Sequence, residues 1–273
     1  MSKETTENFI LERRYLKNVT QKTIIWYGSS FKAFEGALDS TESVKSRIIE
    51  LRNRGVSPVS VNTYLRCIKA YYRWLGKEWI IPRLQVEQKI LRTLSAEDIQ
   101  VLIHFKPTKF AERRTHILTL LILDTGLRIS EALSLKRDSI DLDKCTLRIL
   151  GKGNKERIVP FSLELRKRLF KHVQKMPVNR SGVVFGTCHG TVMTVTNFFR
   201  DLRLMGCKCG VAVGGPHSLR HCFAVNYLRR GGNLEYLRRI LGHSSISTTQ
   251  IYLRSVGIED LQAVHSELSV LSG

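Results

Sequence analysis

Three side-chain types that can act together on a phosphate lie near the end of the chain. His217 and Arg220 are three residues apart, and Tyr252 follows in the segment Thr-Thr-Gln-Ile-Tyr. The apolar pattern around the first two predicts a helix, on which residues three apart share a face. An arginine can bind two oxygens of a phosphodiester, and a neighbouring imidazole can hold or move a proton near neutral pH. A tyrosine adds a nucleophile that can attack phosphorus and hold it covalently.

Each of these residues also has an ordinary structural interpretation. An unassisted tyrosine has a pKa of ~10 and is a weak nucleophile at neutral pH, so it needs cations and a base nearby. A single helical histidine is more often a hydrogen-bonded structural residue, and Tyr252 beside Ile251 and Leu253 is typical of a core position. The joint spacing of the residues, rather than any one of them, favours a catalytic site.

The motifs around these residues follow a family pattern. His-Ser-Leu-Arg-His begins at His217, Leu-Gly-His ends at His243, and Thr-Thr-Gln-Ile-Tyr ends nine residues later. Upstream lie Leu-Asp-Thr-Gly-Leu-Arg-Ile-Ser-Glu at 123–131 and Gly-Lys-Gly-Asn-Lys-Glu-Arg at 151–157. In this order the motifs resemble those of the tyrosine recombinases, the phage-integrase and Xer-like family, over nearly the whole chain.

The resemblance implies a set of catalytic residues, namely Arg128, Lys152, His217, Arg220, His243 and Tyr252. Tyr252 is expected to attack the scissile phosphate and form a 3′-phosphotyrosyl link with a free 5′-hydroxyl. His217 is expected to take the phenol proton, and Lys152 to protonate the departing 5′ oxygen. Lys155 is the alternative to Lys152 in the same hairpin.

The remaining site residues are expected to bind the phosphate. By the same resemblance, Arg128 and Arg220 neutralise charge on the non-bridging oxygens, and His243 donates a hydrogen bond. Glu131 is a possible structural partner that would explain Arg128 without any ligand. His221 is expected to be structural. The resemblance implies no metal, ATP or other cofactor, and no P-loop spacing is present.

The charge of the chain indicates a polyanionic partner. The net charge is +20, with 16 basic against 9 acidic residues in 1–91 and 28 against 15 in 92–273. Both halves are therefore basic, as expected for a protein that holds a DNA duplex from two sides. A merely basic soluble protein or a ribosome-associated protein would have the same charge.

Localisation and metal binding are also constrained by composition. No apolar run approaches the ~18 residues of a membrane span, and the polar start is unlike a signal peptide. Six scattered cysteines are typical of reduced thiols, so the chain is expected in the cytoplasm. Cys207 and Cys209 invite a zinc interpretation, but their single-residue separation differs from the usual two-residue knuckle.

The periodicity predicts a mainly α protein of two domains with a small β-hairpin. Residues 1–81 carry helical patterns at 6–16, 20–38, 40–51 and from 57 onward, which predict a helical bundle. By resemblance this bundle is a SAM-like core-binding domain that contacts DNA. Residues 82–93 are expected to be a linker, and 94–273 the catalytic α+β domain with a tail helix.

Within the second domain the expected elements alternate between helices and short strands. Ser95 begins a capping box, 114–124 is a buried helix broken by Gly126, and 146–150 with 156–160 form a hairpin. The remaining expected elements are a helix at 162–176, a strand at 183–185, a helix at 194–205, a loop at 206–215, the His217 helix, and a helix from Asn233 to Gly242.

Assembly on DNA is implied by the resemblance. The expected form is a homotetramer on double-stranded DNA at inverted-repeat core sites, in which strand exchange passes through a Holliday junction. The apolar stripe after Tyr252 either packs on its own domain or docks as a C-terminal helix on the neighbouring protomer.

Two other functions are compatible with part of the pattern. A type IB topoisomerase would use a similar tyrosine and cations to relax DNA as a monomer. A non-enzymatic DNA-binding relative would lack one of the six residues. For a recombinase the task is integration and excision of a mobile element or Xer-like resolution.

Overall fold

A computed structural model of the chain describes residues 3–87, 94–151, 156–175, 182–187 and 189–268. The chain forms two compact units, Met1–Lys89 and Ile90–Gly273, called here the N-terminal and C-terminal units. It is 64% helical with one three-stranded antiparallel sheet, which confirms the predicted mainly α fold class. No helix among the described residues is long and apolar enough to cross a membrane.

The N-terminal unit is a bundle of helices, and its described elements are α1 (Lys3–Tyr15), α2 (Gln21–Ala33), α3 (Thr41–Asn53) and α4 (Pro58–Trp74). Thr20, Ser40 and Ser57 cap the last three helices through their side-chain oxygens. An aromatic cluster forms the core, with the Phe9 ring edge-on to Tyr71 at 5.5 Å. Helix α2 ends five residues before the predicted end at residue 38, in a turn where Gly36 takes φ 76°.

The C-terminal unit contains the elements that carry the predicted catalytic motifs. Its helices are α5 (Ala96–His104), α6 (Phe110–Thr125), α7 (Ile129–Leu133), α8 (Leu163–Lys175), α9 (Val195–Cys209), α10 (Pro216–Arg229), α11 (Leu234–Leu241), α12 (Ile246–Gln250) and α13 (Ile258–Leu268). Short 3₁₀ helices lie at Arg137–Ser139 and Ile251–Ser255. The strands are β1 (Ile140–Asp141), β2 (Thr146–Leu150) and β3 (Glu156–Pro160), in the order β1-β2-β3.

Helix α6 is the centre of this unit. Its Leu118, Leu121 and Ile122 are fully buried, and α8, α9 and α10 pack around it. The helix ends at Gly126, which adopts the left-handed conformation with φ 65°. This turn is what brings Arg128 to the start of α7, as the sequence predicts.

Two local predictions are wrong. The segment 183–185 forms no strand: Val183 makes an isolated bridge with Lys136, and the next bridge, Gly186 with Val192, lies beyond the segment. Helix α9 continues to Cys209, so the predicted loop at 206–215 begins four residues late. Gly206 lies within this helix and does not break it, and a Cβ there would lie 2.6 Å from the Val211 carbonyl oxygen. Its role is to allow this close backbone approach.

Candidate active site

Four of the six predicted catalytic residues are brought together in the C-terminal unit. Arg128 comes from the start of α7, Arg220 from α10, His243 from the turn after α11, and Tyr252 from the 3₁₀ helix Ile251–Ser255. His217 lies on α10 one turn before Arg220. Lys152 and its alternative Lys155 lie outside the described residues.

Arg128 is half-exposed and anchored on one side only. Its Nη1 donates to Glu131 Oε1 at 3.0 Å, and its Nη2 donates to the Gly242 carbonyl at 3.3 Å. The backbone N–H of Arg128 also donates to Glu131 Oε2 at 2.9 Å. The side chain retains 37% of its exposure, so part of the guanidinium faces solvent and can meet a ligand.

Arg220 is buried against the carboxyl ends of two helices. Its Nη1 donates to the Gly126 carbonyl at 2.7 Å, and its Nη2 to the Leu241 carbonyl at 2.9 Å. These carbonyls carry partial negative charge, which stabilises a cation there. Burial, and then the charge of Arg128, lowers the pKa of Arg220 to about 10, which leaves it positive at neutral pH.

His243 is a neutral imidazole whose tautomer is fixed by its neighbours. Arg220 has no acceptor, so its Nη2 donates to His243 Nε2 at 3.0 Å, and the ring proton lies on Nδ1. Nδ1 then donates to Thr249 Oγ1 at 2.9 Å. Burial, and then the positive charges led by Arg220, lowers the pKa of His243 to about 4. In this state Nε2 accepts a hydrogen bond.

Tyr252 is buried between two imidazoles. Its ring is nearly parallel to that of His243, with centroids 6.2 Å apart and planes at 13°, and lies 5.2 Å from the His221 ring at 47°. The phenol group is also close enough to Arg220 to raise the pKa of that arginine, against the larger effect of burial. The tyrosine is therefore held in a defined orientation beside the buried cation.

His217 differs from the other site residues in being exposed. Its side chain makes no hydrogen bond to the part of the chain that the structure describes. Arg220, one helical turn later, is buried with 5% exposure. The imidazole therefore lies at the solvent-facing edge of the cluster, with its ring nitrogens open to a ligand.

Arg157 is part of this cluster although it is not among the six predicted catalytic residues. Its Nη1 and Nη2 donate to the two carboxylate oxygens of Glu131 at 2.9 and 2.7 Å, and its Nε donates to the Ile240 carbonyl at 2.8 Å. Burial opposes ionisation of Glu131, but hydrogen bonds led by Arg157 outweigh it and lower its pKa. The sequence contains a signal for this position, because side chains on a strand alternate between its two faces. Arg157 is two residues before the buried Val159 on β3, so it lies on the same face, where a charged side chain needs a partner.

The carboxyl end of α11 is the common support of these side chains. Four consecutive carbonyl groups, those of residues 240–243, each accept a hydrogen bond from an arginine. The donors, in that order, are Arg157, Arg220, Arg128 and Arg238. The final carbonyls of a helix have no partner within it, so this end offers fixed acceptors for cations.

Comparison with known proteins shows the family to which the chain belongs. A family model described as the phage integrase family matches residues 92–256, which is more than half of the chain. The chain belongs to the phage integrase family. As a member of this family it is a tyrosine recombinase, an enzyme of site-specific recombination. The predicted family assignment and enzyme class are therefore confirmed.

Individual relatives and solved structures agree with this assignment. The recombinase is 32% identical over 217 residues to tyrosine recombinase XerD of Listeria monocytogenes serovar 1/2a, covering 74% of this chain and 73% of the relative. A structure of the Tn1549 transposon integrase with transposon right end DNA covers 97% of this chain and 99% of the integrase, with TM-score 0.80 and 18% identity. The XerH recombinase bound to palindromic difH substrate covers 100% of this chain and 85% of its own, with TM-score 0.73 and 19% identity. At these identities the structural likeness shows the shared fold.

Proposed function

We propose that this recombinase cuts and rejoins duplex DNA at inverted-repeat core sites through a covalent tyrosyl intermediate. The observation that carries the proposal is the position of Tyr252, buried between two imidazoles and beside Arg220. Arg128, half-exposed, is hydrogen-bonded to the same helix end as Arg220. A tyrosine and two cations from separate parts of the sequence thus belong to one cluster, and this supports a role in phosphoryl transfer.

The proposed cleavage step takes the role of each residue from the family resemblance. The Tyr252 phenol oxygen forms a bond to phosphorus while the bond from phosphorus to the 5′ oxygen breaks. The phenol proton passes to His217, and Lys152 supplies a proton to the departing 5′ oxygen. The second strand's 5′-hydroxyl reverses the same step, so the phosphodiester energy is conserved and no ATP is required.

Charge stabilisation is assigned to the arginines. Arg220 offers a cation that is fixed before the phosphate arrives, because its two carbonyl partners already orient the guanidinium. Preorganised charge of this kind is the largest contribution in many enzymes. For His243 to donate to the phosphate, its Nε2 must take up a proton and release the hydrogen bond from Arg220. The negative charge of a bound phosphate favours that proton, because it offsets the surrounding cations.

DNA contacts are assigned to both units. In the N-terminal unit a cavity of about 350 Å³ is lined by Arg66, Lys69 and Arg83, beside the exposed Val59. The net charge of +20 supplies the long-range attraction to a polyanion. The proposed domain roles are those predicted from the sequence, namely core binding for residues 1–81, a linker at 82–93 and catalysis by 94–273.

The assembly on DNA is proposed to be a homotetramer that resolves a Holliday junction. In the described chain α13 contacts its own α10, with Arg229 Nε donating to Asp260 Oδ2 at 3.1 Å. Ile258 and Leu261 on α13 remain exposed. These apolar side chains support the proposal that the C-terminal helix docks on the neighbouring protomer. The task is integration and excision of a mobile element or Xer-like resolution.

Covalent trapping tests the proposal. Wild-type protein is incubated in chelator-containing buffer with DNA from its native locus that carries a nick beside the cleavage position. A DNA-linked protein is expected for the wild type and for the control Tyr236→Phe, whose tyrosine is exposed on α11. Tyr252→Phe is expected to bind the DNA but to give no adduct.

Two results would contradict this assignment. Adduct formation by Tyr252→Phe would show that another residue is the nucleophile. Good binding by the wild type without any adduct would indicate a DNA-binding protein instead.

A further inference from the structure

We propose that Arg157 is a positioning residue that keeps Arg128 available to the scissile phosphate. The inference rests on the proposed function of the Arg128 and Tyr252 site. Arg157 makes a bidentate ion pair with Glu131, the carboxylate to which Arg128 is anchored. Arg157 therefore acts on Arg128, the residue proposed to bind the phosphate, through Glu131, which both arginines contact.

Glu131 has its acceptor capacity filled by two arginines. Its two oxygens accept four hydrogen bonds, two from Arg157 and two from Arg128 through the backbone N–H and Nη1. A carboxylate offers about four such sites. The Glu131 side chain is only 8% exposed, so water cannot readily replace a lost donor. Its negative charge is thus shared between two cations.

Loss of Arg157 would change this balance at Arg128. The buried carboxylate would keep its charge but would have one cation left to neutralise it. Arg128 would then be drawn more strongly towards Glu131, in direct competition with a phosphate. Because Arg128 is the more exposed arginine, with 37% against 13% for Arg157, it is the one that a ligand can engage.

A second contact links Arg157 to the support of both phosphate-binding arginines. Its Nε donates to the Ile240 carbonyl, and its guanidinium carbon lies 3.0 Å from where a Cβ on Gly242 would be. Gly242 takes φ 64°, and this left-handed turn without a side chain admits the guanidinium. Arg157 therefore ties β3 to the turn whose carbonyls hold Arg220 and Arg128.

The first measurement compares cleavage rates with folding. Arg157→Lys keeps the charge but loses the planar fork, and Arg157→Gln loses both. Single-turnover cleavage of the nicked substrate is expected to fall about 100-fold in Arg157→Gln, the cost of a small misplacement of a catalytic group. A smaller but measurable fall is expected in Arg157→Lys, which loses the fork geometry and keeps the charge. DNA affinity and the unfolding midpoint of Arg157→Lys are expected to stay close to wild type.

Arg168 provides a control with the same kinds of contact in a more exposed pair, since 62% of the Glu164 side chain is exposed against 8% for Glu131. Arg168 donates to Glu164 Oε1 at 2.9 Å and to the Ile103 carbonyl at 3.1 Å in α5, so it also pairs with a glutamate and a helix carbonyl. Arg168→Lys and Arg168→Gln are expected to cleave at the wild-type rate. An equal loss in both series would show a general effect on folding and would overturn the assignment.

The deciding experiment measures cleavage of a substrate whose scissile phosphate has lost its negative charge. A substrate with a methylphosphonate at the scissile position lacks the negative charge that Arg128 neutralises. If Arg157 acts through Arg128, the Arg157 variants should recover on this substrate to the same degree as Arg128→Ala. A merely structural defect would persist on both substrates, and that outcome, or wild-type cleavage by Arg157→Lys, refutes the proposal.

Failure of this inference can be distinguished from failure of the proposed function. If the wild type forms no tyrosyl adduct on any native-locus DNA, the proposed function itself is wrong and this inference falls with it. If the wild type forms the adduct and Arg157→Lys does so at the same rate, only the positioning role is wrong.

Discussion

Replacing Gly126 with alanine should destabilise the C-terminal unit by about 2–5 kcal/mol. Gly126 adopts φ 65° at the end of α6, and a left-handed alanine costs about 1–2 kcal/mol. A Cβ there would also lie 2.3 Å from Phe223 Cδ1 and 2.8 Å from Leu241 Cδ2. Such overpacking costs about 1–3 kcal/mol more. Because the Gly126 carbonyl accepts from Arg220, we also expect slower DNA cleavage.

Gly210→Ala is the matched control for this prediction. Gly210 ends α9 with φ 72°, but no atom lies within 4 Å of the position of its added Cβ. This variant therefore carries only the conformational cost of about 1–2 kcal/mol. The difference between the two variants, about 1–3 kcal/mol, measures the collision with Phe223 and Leu241.

The assay must report the two units separately. All three tryptophans, Trp26, Trp74 and Trp79, lie in the N-terminal unit, so tryptophan fluorescence follows that unit during denaturant unfolding. Native-state hydrogen exchange of α6 and α10 amides gives the free energy of opening of the C-terminal unit. If Gly126→Ala costs no more than Gly210→Ala, the packing argument is refuted.

Two further predictions concern buried charge in the C-terminal unit. Burial lowers the pKa of His172, which stacks on Phe185, to about 4, so the unfolded chain takes up its proton near pH 6.5 before the folded one does. Stability should therefore be complete above pH 6.5 and fall towards pH 4, and pH-dependent unfolding of His172→Gln should show a smaller fall. Asp201→Asn leaves the buried Arg114 without its carboxylate partner at 3.2 Å and should cost about 3–5 kcal/mol in denaturant unfolding, whereas Arg114→Met together with Asp201→Asn should cost less.

Local sequence signals were sufficient where one residue determines one backbone conformation. Ser95 forms the predicted capping box with Asp98, and Asn233 caps α11 through its side chain. Gly126 and Gly242 end their helices in the left-handed conformation, which favours glycine. Such signals failed at Gly206, which does not end α9 but allows the Val211 carbonyl to approach the helix closely.

The strand prediction at 183–185 failed for a different reason. A short β-branched and aromatic run predicts a strand only if a partner strand is available along its length. Val183 and Gly186 each meet a partner at a single bridge, while Val184 and Phe185 are buried in the core. The apolar pattern therefore reported burial correctly, but the pairing depended on tertiary contacts.

The sequence by itself determined the residue types, their order and the family to which they belong. It also determined the helical periodicity of both units, because apolar spacing is a local property of the chain. The individual roles of Arg128, Lys152, His217, Arg220, His243 and Tyr252 remain predictions, and the trapping experiment tests that of Tyr252.

Only the tertiary structure decided how the cations are held. Arg157 and Glu131 are 26 residues apart in the chain, and Arg220 reaches the Gly126 carbonyl across 94 residues. No local pattern encodes such pairings, because hydrogen bonds between distant segments depend on how the helices pack. The same packing placed Tyr252 between His221 and His243 and fixed the tautomer of His243, which no reading of residue types could supply.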